Sequence, residues 1–383
     1  MKRTSILLLL VAAWTFAIAG QTQFCIDGIL YQVSSANPSE VNVIHPINAA
    51  LYMTGKTMYQ EMDIKRLEIP GEVTNPADGT LCTVVSVNLG NSDTVEEIIL
   101  PNTVRAIEYL VDFPELKTIV MPDNLVFMGE ISQRPKLETL TIPTSVSAIE
   151  VQRTATLFDI GVSSLSIPHN VTRLESFTII ECPELRELTL SGAETLRAYA
   201  VMDLPELNKL TFSPTLANVH DNSVIGTDPE EIWFPSDGVE RPWKLSVNSF
   251  VCHTKRVYCA RMTPPTFDGD MTAPEYASVP ADRLMFYGPG NIGNVTLYVP
   301  AEAVEAYKAA PNWGLMNIQP YNFRDNIPLT AADATAPADT PLYDLQGRPT
   351  ATDPPHPAST SAQAKKSSSD NPPATRRDKS PIT

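Results

Sequence analysis

Few groups in this 383-residue chain could do chemistry, and most of them lack a partner at useful spacing. The five histidines, His45, His169, His220, His253 and His356, are scattered. No Gly-x-Ser-x-Gly, His-Glu-x-x-His or phosphate-loop phrase surrounds any of them. Cys252-His253 with Cys259 has the ligand types for zinc, but a fourth ligand is missing and the spacing fits no common site. Asp268-Gly269-Asp270 could offer calcium two carboxylates, though such a pair more often just makes a turn. No catalytic residue, metal or cofactor is therefore expected, and the chain reads as a non-enzyme. The five cysteines are Cys25, Cys82, Cys182, Cys252 and Cys259. In an exported protein Cys252–Cys259 and Cys25–Cys82 are the disulfides to test, and buried reduced thiols are an equal reading for Cys82 and Cys182.

What remains is a chemistry of recognition. Thr118, Thr139, Thr141, Ser164, Ser166, Glu187, Thr189, Lys209, Thr211, Glu231 and Trp233 recur at nearly fixed spacing. Hydroxyls fill the middle of this row, charges flank it and an indole ends it. On one flat face such a row could hydrogen-bond a peptide or a glycan. Threonine is also simply a good strand former on a solvated face.

The element that must position these residues is a returning phrase of leucine, two variable residues, leucine, one variable residue and isoleucine, often closed by proline. It reads Leu116-Lys117-Thr118-Ile119-Val120-Met121-Pro122 and Leu137-Glu138-Thr139-Leu140-Thr141-Ile142-Pro143. Steps of 21, 21, 25, 23, 22 and 22 residues lead from Pro101 through Pro122, Pro143, Pro168, Ser191 and Ser213 to Pro235. A fixed period of this size marks a solenoid. The alternation makes a short strand with one face inward, and the proline sits where the strand ends. The inward rungs are Leu67/Ile69, Ile98/Leu100, Ile119/Met121, Leu140/Ile142, Leu165/Ile167, Leu188/Leu190, Leu210/Phe212 and Ile232/Phe234. A weaker phrase follows each proline, as in Val104/Ile107, Val146/Ile149 and Val171/Leu174, and supplies a second apolar wall on the convex side. Neighbouring coils share one core, because no single coil can bury its own.

The combined phrase resembles the BspA-type leucine-rich repeats of secreted and surface proteins of the Bacteroidetes, over about residues 24–323. Asp27-Gly28-Ile29-Leu30-Tyr31 resembles their opening hairpin, and Asp78 to Val87 their second strand pair. Leu297 to Pro300, Val304 to Lys308 and Trp313 are similar to their closing repeat, with Ala301 to Ala309 a short helix and Trp313 a plug. The resemblance implies a right-handed, β-rich leucine-rich repeat solenoid, with a parallel sheet on the concave face and an irregular or short helical convex side. It also implies an adhesin-like binding protein that contacts a host protein, matrix or another cell. A structural spacer without a selective ligand is the alternative.

The reading divides the chain into a signal peptide (1–19), an N-terminal β-hairpin cap (20–61) and leucine-rich repeats (62–235). A degenerate repeat and C-terminal cap (236–323) and a disordered tail (324–383) follow. Lys2 and Arg3, an apolar run from Ile6 to Ile18 and Ala17-Ile18-Ala19 make the leader, which is too short to span a bilayer. Secretion or display on the outer cell surface is the expected address. Leu342 to Arg348 resembles the start of a type IX sorting domain, but the following Pro349 to Pro355 cannot supply its further strands. The leader is basic and residues 326–383 are balanced, so of the chain's net −16 the repeats hold about −18. That charge disfavours nucleic acid and anionic membranes. The expected partner is a protein or a glycan, bound by a monomer with no membrane span.

Overall fold

The computed structural model describes residues 16–18, 21–44, 64–149, 156–268, 272, 274, 286, 292–324 and 327–328. Most of the expected leader, most of the tail including its sorting-like phrase, His45, His356 and Gly269-Asp270 lie outside the described residues; at the start of the expected disordered tail, Ile327–Pro328 instead pairs antiparallel with Tyr321 and Asn322. Phe16–Ile18, near the end of the expected leader, pairs antiparallel with Gln21–Gln23.

The chain winds as a parallel β-solenoid whose coils each have three faces. The first face carries the repeated phrase. Its strands are Arg66–Glu68, Glu97–Ile99 and Thr118–Val120, then, after one isolated bridge at Thr139, Ser164–Ile167, Glu187–Leu190, Lys209–Thr211, Glu231–Phe234, Arg256–Cys259, Thr296–Val299 and Asn317–Asn322. They stack in parallel and in register, so that Leu165, Leu188, Leu210, Ile232, Val257, Leu297 and Ile318 follow one another rung by rung. All the inward rungs read from the sequence are buried except Met121, which is partly exposed while packing on the core. Residues 236–262 fit the repeat phrase poorly, yet Arg256–Cys259 takes its place in the ladder, with Val257 and Cys259 inward on Ile232 and Phe234.

The wall after the proline is buried as expected, at Val104, Ile107, Val146, Ile149, Val171 and Leu174. The far side, expected to be irregular or briefly helical, is made of short ladders instead. A second face stacks Arg173–Leu174, Thr195–Leu196, Asn218–Val219, Lys244–Ser246 and Thr266–Asp268. A third runs from Glu40–Val43 through Leu81–Gly90, Ala106–Val111, Phe127–Arg134 and Leu157–Ile160 to Phe250–Val251. Coils of nearly equal length bring like positions side by side. Each coil then satisfies its neighbour's backbone N–H and C=O groups, and helix is not required.

The corner from the third face into the first uses the left-handed region in coil after coil. Asn91, Asp112, Gln133, Asp159, Glu181 and Asp203 have φ of 58°, 63°, 59°, 51°, 48° and 54°. Asparagine and aspartate tolerate this conformation best among side chains with a Cβ. The next residue points inward and makes a buried column of Ser92, Phe113, Arg134, Ile160, Cys182 and Leu204.

At the N-terminal end, Gln21–Ile26 and Ile29–Val33 form a hairpin over Asp27 and Gly28, whose φ values of 49° and 80° suit the twist of the flanking strands. Phe24 and Tyr31 stack at 5.5 Å beneath it. At the other end, helix Val304–Ala309 and a 3-10 turn at Trp313–Leu315 close the core. Trp313 is fully buried, donates from Nε1 to Pro265 O at 2.8 Å and meets Tyr307 edge-on at 5.7 Å. It plugs the last coil as its sequence position suggests.

Candidate functional site

The strand pleat places all eleven residues of the expected row on the outward side of the first face. Thr139, Thr141, Ser164, Ser166 and Glu187 are exposed, and Thr118, Thr189, Lys209, Thr211, Glu231 and Trp233 are half-buried. Thr189 lies opposite Thr211, and Thr211 opposite Trp233. Ser166 Oγ approaches Ser191 Oγ at 3.4 Å. The hydroxyls thus form one row, which passes into charged and aromatic groups toward the C-terminal end.

That end holds more than the sequence suggested. Trp233 is stacked on Tyr258 at 3.9 Å and 8°, and Tyr258 on Tyr298 at 4.7 Å and 13°. Tyr321 presents its edge to Trp233, Tyr258 and Tyr298, at 6.2, 5.1 and 5.5 Å. Phe323 meets Tyr321 at 4.9 Å. Lys209 Nζ sits 5.0 Å over the Trp233 ring, a cation–π contact. Trp233 Nε1 donates to Glu231 Oε2 at 3.0 Å, and Arg256 Nη2 reaches Glu231 Oε1 at 3.0 Å. Burial, with Glu231 adding to it, pushes the Tyr258 phenol up to about 12. Tyr258 escaped the sequence reading because Arg256–Cys259 lacks the leucine phrase, and Tyr298 was read only as part of the closing repeat, not as a site residue. Alternation in Arg-Val-Tyr-Cys and Thr-Leu-Tyr-Val was the signal that could have found them.

Charged residues at the coil starts pair from one turn to the next. Glu96 lies between Lys65 at 3.4 Å and Lys117 at 2.7 Å, and hydrogen bonds from Lys117 and then Lys65 hold its carboxyl below the ordinary range. Lys255 and Arg256 do the same with Glu230, at 3.3 and 3.2 Å. A groove of about 470 Å³ lies beside these starts, lined by residues that include Arg186, Glu206, Asp228, Glu230, His253 and Lys255. Asp228 Oδ1 accepts from the His253 backbone N–H and lies 2.8 Å from His253 Nδ1. Thr254, the neighbouring hydroxyl, hydrogen-bonds to the carbonyl oxygens of Glu230 and Arg256. His220 Nε2 lies 3.4 Å from Arg197 Nη1, and His169 is exposed in another coil.

No disulfide joins the cysteines. This corrects both suggested pairings. Cys259 faces into the first-face core, where its Sγ lies 3.1 Å from Tyr307 Oη. Cys252, Cys82 and Cys182 are buried at other points of the fold, with Cys82 Sγ 3.7 Å from Pro38 O and Cys182 Sγ 3.4 Å from Ile180 O. Among the described residues no group of three or more histidine, cysteine, aspartate or glutamate side chains is arranged to hold a metal ion.

A parallel stack with leucine-type rungs inward, one strand per coil and a turn at each strand end decides the fold class. The chain is a leucine-rich-repeat solenoid. No family model matches it, and no curated protein does. Among solved structures it is similar to a leucine-rich repeat protein from Bacteroides ovatus, at 17% identity over 72% of this chain and 70% of that one, with a TM-score of 0.40. It is also similar to a leucine rich cell surface protein from Faecalibacterium prausnitzii, at 12% identity over 79% and 96%, with a TM-score of 0.38. A third likeness, at 14% identity over 54% and 83% and a TM-score of 0.29, is to the leucine rich repeat protein of T. pallidum. Among the described residues no helix is long and apolar enough to cross a membrane.

Proposed function

We propose that this leucine-rich-repeat solenoid is a non-enzymatic, secreted or surface-exposed binding protein that uses the outward side of its first face. One observation carries the reading: the hydroxyl row from Ser164 to Thr211 follows paired strands of one face into Lys209 and half-buried Trp233 and Tyr298, with buried Tyr258 stacked between the two rings. Hydroxyls spaced by strand pairing can hydrogen-bond a repeating polar chain, and aromatic groups supply apolar anchoring beside them. A protein or a glycan of the matrix or of another cell fits this chemistry. The acidic repeats disfavour nucleic acid.

The test is a panel of glycans and matrix proteins probed with the intact chain, then with Trp233→Ala and Lys209→Glu. Retention of a ligand by the intact chain, weakened at least about tenfold by either change in a variant that still unfolds cooperatively, supports the assignment. Ligand binding that neither change affects would move the site off this face. Absence of any retained ligand favours the spacer role.

A further inference from the structure

The first-face ladder is interrupted, and the separate second-face ladder begins, at one and the same junction. On the first face the coil at residues 137–142 is tied backward by the bridge Thr118↔Thr139 and by Glu138 N–H to Lys117 O at 3.1 Å. Among the described residues no backbone hydrogen bond carries it forward to Ser164–Ile167, where the ladder restarts. Ala148–Ile149 pairs backward with Phe127 and Met128, at the start of the third-face strand Phe127–Arg134, while Arg173–Leu174 pairs forward with Thr195–Leu196 on the second face. Among the described residues neither pairs with the other. Backbone continuity persists on the third face, through Ile131↔Leu157, Ser132↔Phe158 and Arg134↔Ile160, and at its corner through Gly161 N–H to Arg134 O at 2.8 Å. A side-chain bond, Asn170 Nδ2 to Thr144 O at 2.6 Å, also crosses the gap.

Two independent features mark the same place. The coil from Pro143 to Pro168 takes 25 residues where the two before it take 21, so like positions fall out of step. The corner on the near side of the seam also departs from the rule: the inward column there holds Arg134, fully buried, with Nε and Nη2 unpaired. Side chains nevertheless keep the core closed: Leu140, Ile142 and Leu165 are 6%, 6% and 2% exposed. The contact between the two blocks is therefore apolar packing on three sides and backbone pairing on one. In a stack stabilised by nearest-neighbour interfaces, this is the interface that opens first.

We propose that this junction is a hinge. The third-face strands form its spine, the first and second faces part along it, and the blocks 64–149 and 156–324 rotate about it and unfold as separate cooperative steps. The seam falls between Thr139/Thr141 and Ser164/Ser166, so its opening changes the spacing of the most exposed hydroxyls on the first face. The inference stands whatever ligand that face takes.

Hydrogen exchange on the intact chain under native conditions tests it. Amides in residues 139–142 and in Ser164–Ile167 that point across the seam should exchange on the order of 100-fold faster than those in Glu187–Leu190 and Lys209–Thr211. Denaturant should resolve two transitions. An oxidised pair Thr139→Cys/Ser164→Cys, which staples the seam, should merge them into one and restore slow exchange. The pair Thr189→Cys/Thr211→Cys, placed on Cα partners in the unbroken ladder, should leave them apart. Uniform exchange across these strands, or one coincident transition in the intact chain, overturns the hinge.

Discussion

Replacing Arg134 by leucine should stabilise the protein, an uncommon outcome for a fully buried site. Arg134 occupies an inward column whose neighbours on either side are Phe113 and Ile160. Its guanidinium lies 4.8 Å from the Phe113 ring centroid, and Nη1 donates to Gln133 O at 2.5 Å, while Nε and Nη2 have no partner. Each buried donor left unpaired costs about 1–3 kcal/mol. Against that, leucine forgoes a cation–π contact of ~0.5–2 kcal/mol and one hydrogen bond of ~1–2 kcal/mol. It also forgoes attraction to Asp112, Glu130 and Asp159, which lie in reach of the guanidinium. Leucine burial returns roughly 1.5–3 kcal/mol, so the balance favours Arg134→Leu by about 1–3 kcal/mol, in line with apolar replacements of buried charges elsewhere.

A second reading of the same variant comes from pH. Burial pulls the Arg134 pKa down to about 9, well below the usual 12.5. Below about 9 both folded and unfolded chains keep the proton, and the full penalty applies. Between there and 12.5 the unfolded chain binds more protons, so stability from this group rises with pH. The difference in unfolding free energy between Arg134→Leu and the parent should therefore be flat near neutrality and shrink above pH 9. Urea titrations at pH 7 and pH 10 measure it. A variant less stable than the parent by 1 kcal/mol or more at pH 7 would show that the guanidinium is well paired, and would refute the reasoning.

Two further outcomes follow from close packing. A Cβ on Gly161 would lie 2.1 Å from Pro135 O and 2.7 Å from Pro135 C, both backbone atoms, so Gly161→Ala should lower stability by roughly 1–3 kcal/mol; an unchanged urea midpoint would count against that approach. Desolvation raises all five thiols, Cys182 up to about 12, but only Cys25 is half-buried while Cys82, Cys182, Cys252 and Cys259 are buried, so at pH 8 a thiol reagent should label Cys25 first and the other four only on unfolding. Their linkage has the opposite sign to that of Arg134: stability is complete below the ordinary thiol pKa near 9 and falls as pH rises beyond it. Two or more rapidly labelled thiols in the folded chain would contradict the burial.

How much of this was legible follows from which interactions repeat. The first face could be read rung by rung, because inward leucines at every second position are repeated by each coil and leave a period in the sequence. Trp313 and the opening hairpin were legible for a different reason, since an end-plug and an Asp-Gly turn each have one local signature. The third face was not. Its rungs are as short as Ile179–Ile180 and Val201–Met202, too brief for alternation to register. Arg256–Cys259 was missed because an aromatic stack, Trp233 on Tyr258 on Tyr298, there replaces the aliphatic grammar on the outward side, and a cysteine ends the inward one.

The corner column shows that the missing face did leave a trace of a different kind. Asp112-Phe113-Pro114, Gln133-Arg134-Pro135, Glu181-Cys182-Pro183 and Asp203-Leu204-Pro205 share one plan: a left-handed residue, an inward residue, then a proline that opens the next coil. The proline was readable as a start signal, but the residue two places before it carries the backbone constraint and only φ reveals it. Asp159-Ile160-Gly161 breaks the plan at the proline. The glycine there supplies an N–H, which Arg134 O accepts, where proline could supply none. The departure from the repeat and the extra backbone bond across the spine therefore have one cause. The coil that loses first-face pairing with its neighbour is the one whose corner is built to hold on the third.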